Sequence, residues 1–232
     1  MTMSLLLKFK APMQAWGVQS RFATRATHHE PTKSGVVGLL AAAQGRRRSD
    51  PVEDLADLQF GVRVDQPGTL VRDFQTAIDW RTGKSQALTH RYYLSDAVFL
   101  GAVSGPKPLL EGLADAVRRP TFPLFLGRRS CPAGPDLLVG LRDGNVEESL
   151  RVEPWQAADW YRRTKPRLVR LALLRDATPH EEGDSLRDHP VSYDPQHRQY
   201  SWRTVHAADP VNVDNPWGVG EGDPFMEAVM TS

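Results

Sequence analysis

Residues 4–17 read SLLLKFKAPMQAWG, an apolar run of strand length followed by a loop that contains Met13, Gln14 and Trp16 before its first glycine. The apolar run at residues 4–9 predicts a short buried β-strand. Loops that only reverse the chain are usually built from Gly, Pro, Asn, Asp or Ser. The residues that follow this strand therefore indicate flat or hydrogen-bonding surface rather than a simple turn. A buried Trp16 that caps the core is the alternative, because indoles are usually well buried.

Residues 31–45, PTKSGVVGLLAAAQG, predict a helix with Thr32 or Ser34 as N-cap and Gly45 as its stop. The helix is apolar nearly all round, so we expect it to pack against a sheet. Alternating residues at 58–68 and 69–77 predict two strands joined at 66–68, and residues 89–103 return as a strand after a polar, basic tip. Residues 106–119 predict an amphipathic helix, and residues 137–143 a further strand.

This order of elements predicts the fold class. It approximates βαββαβ once the pair around the polar tip is taken as one extended hairpin, as in ferredoxin-like, RNA-recognition-type folds. We therefore predict an α+β protein with a ferredoxin-like, RNA-recognition-type palm at residues 1–150. Residues 151–232 predict a small β-rich C-terminal region.

Composition bounds the class of protein. The chain has 232 residues, of which 40% are hydrophobic and 25% charged, as in ordinary globular proteins. No apolar run approaches the roughly 18 residues that a membrane helix needs, so we expect a cytoplasmic protein without a membrane partner. The single Cys131 excludes an internal disulfide and a multi-thiolate zinc site.

The near-neutral net charge of +1 hides a strong segregation of charge along the chain. One basic block carries a single acid, Glu30, and consists of Lys8, Lys10, Arg21, Arg25, Lys33, Arg46, Arg47 and Arg48. A second block without acids consists of Arg162, Arg163, Lys165, Arg167, Arg170 and Arg175. From Asp176 onward the balance is acidic. This asymmetry indicates a surface for a polyanion, and a pair of solvated faces is the alternative interpretation.

Two motifs carry candidate anion contacts. In residues 30–38, EPTKSGVVG, a Lys and a Ser sit at a helix start, where backbone amides favour a phosphate. The Walker spacing is absent, and a simple N-cap with glycines for close packing is the alternative. In residues 126–135, LGRRSCPAGP, a Gly and Pro-rich loop presents Arg128 and Arg129 to phosphates or base edges, unless both arginines are merely solvated.

Enzymatic signals are weak. His28 and Glu30 would give only two metal ligands, whereas zinc sites use three or four, so we predict no metal site and no other cofactor. Lys84, His90 and Tyr92 or Tyr93, with His28 or His29, could supply acid and base groups for metal-independent RNA cleavage. Ordinary strand and surface positions explain the same residues.

The segments APMQAWG, PTKSGVVGLLAAAQG, RYYLSDAVF and FLGRRSCP, in this order and spacing, resemble CasD-type subunits of the subtype I-E CRISPR Cascade surveillance complex, members of the RAMP superfamily. The resemblance covers residues 5 to about 140. It implies an RNA-recognition-type palm, a β-hairpin thumb at about residues 72–91, and a subunit that holds the 5′ handle of the CRISPR RNA and caps the backbone filament in antiviral defence. Its implied partners are the CRISPR RNA, the Cascade backbone subunit and the large subunit, with target DNA reached indirectly.

The resemblance also implies which residues contact the RNA. They are Met13, Gln14, Trp16, Arg21, Arg25, Thr32, Lys33, Ser34, Arg72, Arg91, Arg128, Arg129 and Ser130, with Trp80 and Arg81 at the thumb tip. Bases of single-stranded RNA stack on aromatic or guanidinium planes, and basic groups hold the backbone, so these residue types suit the task. It implies no catalytic residue. The competing hypothesis is a metal-independent endoribonuclease that processes the CRISPR repeat.

Overall fold

The computed structural model describes residues 2–17 and 24–219. The strands are β1 (Met3–Lys10), β2 (Met13–Gln14), β3 (Trp16–Gly17), β4 (Thr24–Arg25), β5 (Thr27–His28), β6 (Gln59–Gln66), β7 (Thr69–Gln75), β8 (Thr89–Ser95), β9 (Val98–Gly105), β10 (Leu138–Asp143), β11 (Leu168–Asp176), β12 (Asp184–Ser192) and β13 (Gln199–Asp214). The helices are α1 (Lys33–Ala43), α2 (Glu53–Ala56), α3 (Lys107–Arg118), α4 (Val146–Val152) and α5 (Asp159–Arg162). The fold is mixed α and β, with mostly antiparallel strands.

A seven-stranded sheet in the order β10-β1-β9-β6-β11-β13-β12 forms the centre of the molecule. Every neighbouring pair in it is antiparallel. The C-terminal strands therefore extend the same sheet as the N-terminal ones, through the pairing of β6 with β11. The predicted division near residue 150 stays a prediction.

The apolar run that opened the sequence is buried on both faces of this sheet. Leu5, Leu7 and Phe9 belong to a core shared with α1 and α3, whereas Leu6 faces a second core closed by α4 and Trp155. Successive side chains of a strand point to opposite faces, so a strand covered on both faces reads as a continuous apolar run. This explains why β1 lacks an alternating pattern.

The predicted thumb is an antiparallel hairpin formed by β7 and β8, which pair from Thr69 with Ser95 to Gln75 with Thr89. Residues 76–88 beyond the paired strands are almost entirely exposed. The hairpin thus leaves the body of the protein directly after the central strand β6. Among the helices of the described residues, none is long and apolar enough to cross a membrane.

Candidate nucleic-acid interface

Strand β8 organises the candidate site because three other strands pair with it. β7 runs along one edge of β8, while β2 and β4 pair with opposite ends of its other edge. The loop after β1 and the segment around Arg25 are thereby held against the base of the thumb. Met13 lies exposed beside Ser95, and its predicted contact with RNA stays a prediction.

Arg128 fastens its loop to this sheet. Its guanidinium donates to the carbonyl oxygens of Tyr92 at 2.9 Å and of Arg25 at 2.8 Å. It also lies 4.7 Å from the centre of the Tyr93 ring, a distance typical of a cation–π contact. Because two of its nitrogens already serve backbone carbonyls, Arg128 positions the site more than it offers hydrogen bonds to a ligand.

The loop that carries Arg129 depends on a glycine. Gly127 has φ of 87°, and a Cβ at this position would overlap the carbonyl oxygen of Ala15. The amide of Leu126 donates to the carbonyl oxygen of Cys131 at 2.7 Å, and this hydrogen bond closes the turn. Only glycine permits both this backbone angle and so close an approach to the loop after β1. The turn projects Arg129 and Ser130 into solvent.

Cationic side chains concentrate around β8. Arg25 is the register partner of Arg91 on one side, while Asp73 lies opposite Arg91 on the other. Arg129 is exposed on the neighbouring loop. Arg72 is also exposed, but it pairs with Tyr92 and therefore lies on the opposite face of the hairpin from Arg91. Three arginines against one nearby strand carboxylate make this a positive surface. We call Arg25, Arg91 and Arg129 the first surface.

Two nitrogens of this region stand out because they are buried and unpartnered. Arg91 Nε and His90 Nδ1 have no hydrogen-bond partner among the described residues. Buried polar atoms are normally hydrogen-bonded, so such atoms call for an explanation such as an absent water or ligand. Both lie on β8, beside β4.

The thumb tip is exposed and apolar. Trp80 is 84% exposed, and the Arg81 guanidinium lies 5.2 Å from the centre of its ring. Phe74 and Ile78 are also largely exposed on the same hairpin. The predicted tip residues therefore are accessible, together with two apolar residues that sequence analysis did not single out.

The positions of Gln14 and Trp16 contradict the prediction that these side chains face bases. Both side chains are fully buried, and Gln14 Nε2 donates to the carbonyl oxygens of Phe9 at 2.9 Å and Ala97 at 2.7 Å. Trp16 Nε1 donates to Gln14 Oε1 at 3.1 Å, and its ring packs edge-on against Phe9. The alternative is therefore correct: Trp16 caps the core, and Gln14 satisfies its indole and two strand-end carbonyls.

Thr32 and Lys33 form hydrogen bonds within the protein, contrary to their predicted phosphate contact. Thr32 is the N-cap of α1, and its hydroxyl accepts from the amide of Gly35 at 3.2 Å. The backbone amide of Lys33 donates to Asp188 at 2.7 Å, and its ammonium group contacts Asp176 at 2.9 Å. A carboxylate of the chain thus occupies the anion position that helix amides favour.

The remaining predicted residues divide as follows. Ser34 is half-buried, and its carbonyl oxygen accepts from the Tyr193 hydroxyl. Arg21 lies outside the described residues. For the alternative nuclease, Lys84 lies in the tip turn, away from His90 on β8, and no hydrogen bond joins Lys84, His90 and Tyr92 among the described residues. Within that same part of the chain, no cluster of His, Cys, Asp or Glu could hold a metal ion.

Sequence analysis missed the charge network at the start of α1. Arg203 donates to Asp188 at 2.6 and 3.0 Å and to Asp176 at 2.6 Å. Burial lowers the pKa of His28 and of His189, which lie beside this network, so both favour the neutral form. The acidic balance after Asp176 was the available signal, but nothing in it identified the partners.

The chain belongs to the Cas5 family of CRISPR-associated proteins: the family model described as CRISPR-associated protein (Cas_Cas5) matches residues 4–206. The resemblance inferred from the sequence motifs is thereby confirmed. Among curated proteins, the CRISPR system Cascade subunit CasD of Escherichia coli (strain K12) is 36% identical over 156 residues, which cover 59% of this chain and 70% of that protein.

Two solved structures are similar over nearly the whole chain. One, named CRISPR RNA-guided surveillance complex, has 31% identity and a TM-score of 0.74, covering 98% of both chains. The other, named Crystal structure of Cas protein, has 37% identity and a TM-score of 0.68, covering 95% of this chain and 100% of its own. The likeness therefore includes the C-terminal strands, which the sequence motifs did not reach.

Proposed function

We propose that this chain is a non-catalytic RNA-binding subunit of a CRISPR Cascade complex, in which it holds the 5′ handle of the CRISPR RNA and caps the backbone filament. The observation that carries the proposal is the first surface, where Arg25, Arg91 and Arg129 meet at the base of an exposed hairpin. Membership of the Cas5 family and similarity to a Cascade subunit support it.

In this proposal the strand order supports a ferredoxin-like palm. The four strands β10-β1-β9-β6 lie side by side. Along the chain, α1 lies between β1 and β6, and α3 lies between β9 and β10. Arg25, Arg91 and Arg129 hold handle phosphates, since guanidinium groups match phosphate oxygens. Met13 and Ser130 provide adjustable contacts to bases.

The thumb supplies the proposed contacts to protein partners, which are the backbone subunit and the large subunit. Its exposed Phe74, Ile78 and Trp80 are apolar surface that the described chain leaves uncovered. Contiguous exposed apolar surface marks interaction sites. Target DNA is reached indirectly through the assembled complex, and the proposed setting is the cytoplasm.

The test is binding of the purified chain to handle RNA, measured by fluorescence anisotropy. Replacing Arg25 and Arg129 together with alanine weakens binding by about a hundredfold or more, because two lost charged hydrogen bonds remove roughly 3–6 kcal/mol in total. Arg48→Ala, at an exposed arginine between α1 and α2, is the matched control and leaves affinity unchanged. Unchanged affinity in the double variant would contradict the proposed site.

The same preparation tests for catalysis. The cognate repeat RNA is incubated with the protein in EDTA, and the expected result is binding without a defined cut. A product that is formed by the wild-type protein and lost in His90→Ala would replace the proposal with the nuclease alternative.

A further inference from the structure

A second surface of aromatic and basic side chains lies between α5 and the end of the described chain. We define the second surface as Trp160, Arg163, Lys165, Arg167 and Trp217. Trp160 is 56% exposed and Trp217 is 52% exposed, and Arg163 and Arg167 are also exposed. Arg163, Lys165 and Arg167 belong to the second basic block of the sequence, which the proposed function leaves unused.

The segment that carries this surface is firmly anchored to the central strand β6. Trp155 Nε1 donates to the carbonyl oxygen of Asp65 at 2.8 Å, and the amide of Gln156 donates to the Asp65 carboxylate at 2.5 Å. The amide of Ala158 donates to the side chain of Gln66 at 3.2 Å. The backbone before Trp160 is thus fixed in place before any ligand arrives.

The loop that carries Trp217 is joined to this segment by buried Asn215. Its side-chain amide donates to the carbonyl oxygens of Arg162 at 2.7 Å and Pro166 at 3.0 Å. The amide of Val219 donates to the carbonyl oxygen of Lys165 at 3.1 Å. Both exposed indoles therefore sit on backbone held by several hydrogen bonds.

The aromatic groups are linked by edge-on and cation–π contacts. Arg162 lies between Trp155 and Trp217, with its guanidinium 5.3 and 5.4 Å from the two ring centres. On the other side, Tyr161 packs edge-on against Trp160 at 5.7 Å. Trp160 and Trp217 each leave about half of their surface to solvent, so both indoles offer accessible aromatic surface on which bases can stack.

Charge identifies the class of ligand. Arg163, Lys165, Arg167 and Arg170 form no ion pair with a carboxylate within the described residues. The arginines of neighbouring elements, by contrast, are paired: Arg142 with Glu153, Arg175 with Glu147 and Glu181. Among residues 2–17 and 24–219, the acids closest to them in sequence and strand pairing are Asp159 and Asp214, fewer than the four cations. Surplus positive charge beside exposed indoles fits a polyanion with flat groups.

The second surface and the base of the thumb share one end of the sheet. Gln66 connects them, because its side chain accepts from Ala158 and donates to the carbonyl oxygen of Asp96, in the turn after β8, at 2.5 Å. β11 begins and β13 ends at this same end. The first surface is supported by the core on one face of the sheet and the second by the core on the other face, so a strand of nucleic acid would pass from one to the other around this shared end.

We propose that the second surface binds a single-stranded RNA segment continuous with the segment held at the first surface, with bases stacked on Trp160 and Trp217 and phosphates held by Arg163 and Arg167. The inference rests on the proposed function, and it extends the RNA path to the C-terminal region. Only unpaired bases expose their faces for such stacking, so duplex RNA is the poorer ligand.

The test compares single-stranded oligouridylates of increasing length by fluorescence anisotropy with the purified full chain. Trp160→Ala with Trp217→Ala weakens binding of long oligonucleotides by about fivefold or more, as loss of base stacking predicts, and leaves short ones unaffected. Arg163→Glu with Arg167→Glu has the same effect and reduces the salt dependence by about 0.7 per lost phosphate contact. This second pair tests the proposal independently of any loss of indole packing.

Trp202→Ala and Arg198→Glu are the controls, since both residues are exposed on or beside the opposite end of β13. The second-surface variants are the two double substitutions just described. If they bind RNA of every length as tightly as the wild type does, while the Arg25 and Arg129 change still weakens binding, this inference alone is wrong. If the Arg25 and Arg129 change has no effect while the second-surface variants bind weakly, the proposed first surface is wrong instead. If the second-surface variants bind RNA normally but fail to join the other Cascade subunits, the second surface is a protein contact and the RNA assignment is wrong.

Discussion

At the scale of single residues, Arg63 shows how one side chain holds two parts of the molecule together. Its guanidinium donates to both carboxylate oxygens of Asp65, at 2.7 and 2.9 Å. Its remaining N–H groups reach the carbonyl oxygens of Leu150, Glu153 and Pro154 at 2.5, 2.6 and 2.9 Å. All five donors of the guanidinium are thereby used in a fully buried position.

Replacing Arg63 with methionine is expected to lower the free energy of unfolding by about 3–5 kcal/mol, because Asp65 would be left buried without its partner. The measurement is urea unfolding followed by circular dichroism. Lysine at this position should not restore stability, since a single ammonium group cannot serve the carboxylate and three carbonyls together.

The control for this prediction is Arg118→Ala, which removes an exposed partner of Asp115. Exposed ion pairs contribute about 0–1 kcal/mol, so this variant should unfold nearly as the wild type does. If both variants lose the same free energy of unfolding, Arg63 does not stabilise the fold through its buried hydrogen bonds.

At the scale of elements, the thumb tip at residues 76–88 is the most exposed part of the hairpin. The thumb strands pair with each other along their whole length and β8 is also held by β2 and β4, whereas residues 76–88 are almost entirely exposed. Surface segments of this kind contribute little to stability. Their exposed apolar side chains are therefore available for partners.

Replacing residues 76–88 with Asn-Gly should change the free energy of unfolding by less than about 1 kcal/mol, because almost nothing buried is removed. Asn-Gly is suited to a two-residue hairpin turn. The shortened protein is expected to keep its affinity for short RNA but to be lost from complexes purified through another Cascade subunit. Normal incorporation would contradict the proposed role of the thumb, and Trp80→Ala alone should give an intermediate loss.

The elements that sequence analysis predicted are those decided by local pattern. The apolar run of β1, the capped start of α1 at Thr32 and the thumb strands all carry their own signal in adjacent residues. The burial of Trp16 carries none, because it depends on α1, where a Cβ at Gly35 would lie 2.8 Å from the indole. A loop tryptophan has the same sequence signature whether it is covered or not.

The site was predictable only in part for a similar reason. Arg129 lies in a Gly and Pro-rich loop, and its exposure follows from that loop's composition. The sequence predicts a phosphate contact for Lys33 because its carboxylate partners, Asp176 and Asp188, lie more than a hundred residues away along the chain and leave no local signal. Charge segregation in the sequence indicates a polyanion surface. Which cations remain without a carboxylate partner depends on contacts between residues far apart in the chain.

At the scale of the whole molecule, charge couples the N-terminal helix to the C-terminal strands. Asp188 on β12 binds the start of α1, and Arg203 on β13 holds Asp188 in place. His28 and His189 lie beside this junction, and burial lowers the pKa of both from the ordinary value of 6.5. Asp188 opposes the shift at His28, and Asp176 opposes it at His189.

Stability is therefore expected to fall as the pH drops below about 6.5, because the unfolded chain then binds protons that the folded protein takes up less readily. Above that pH both histidines are neutral in either state and the effect vanishes. Thermal melting between about pH 8 and pH 5 measures it. Replacing His28 and His189 with glutamine should flatten the decline, whereas His197→Gln, at an exposed residue, should leave it unchanged; an undiminished decline in the double variant would contradict the prediction.

The central position of β6 has a consequence for synthesis of the chain. β6 pairs with β9 on one side and with β11 on the other, so its second edge stays open until the C-terminal strands emerge from the ribosome. At roughly 5 to 20 residues per second, translation from the end of β9 to the end of β11 takes on the order of 4 to 14 s. During that interval a nascent chain exposes an unpaired strand edge, which is a template for aggregation. Slowed translation of the last third should therefore reduce the yield of soluble protein more than slowed translation of the first third.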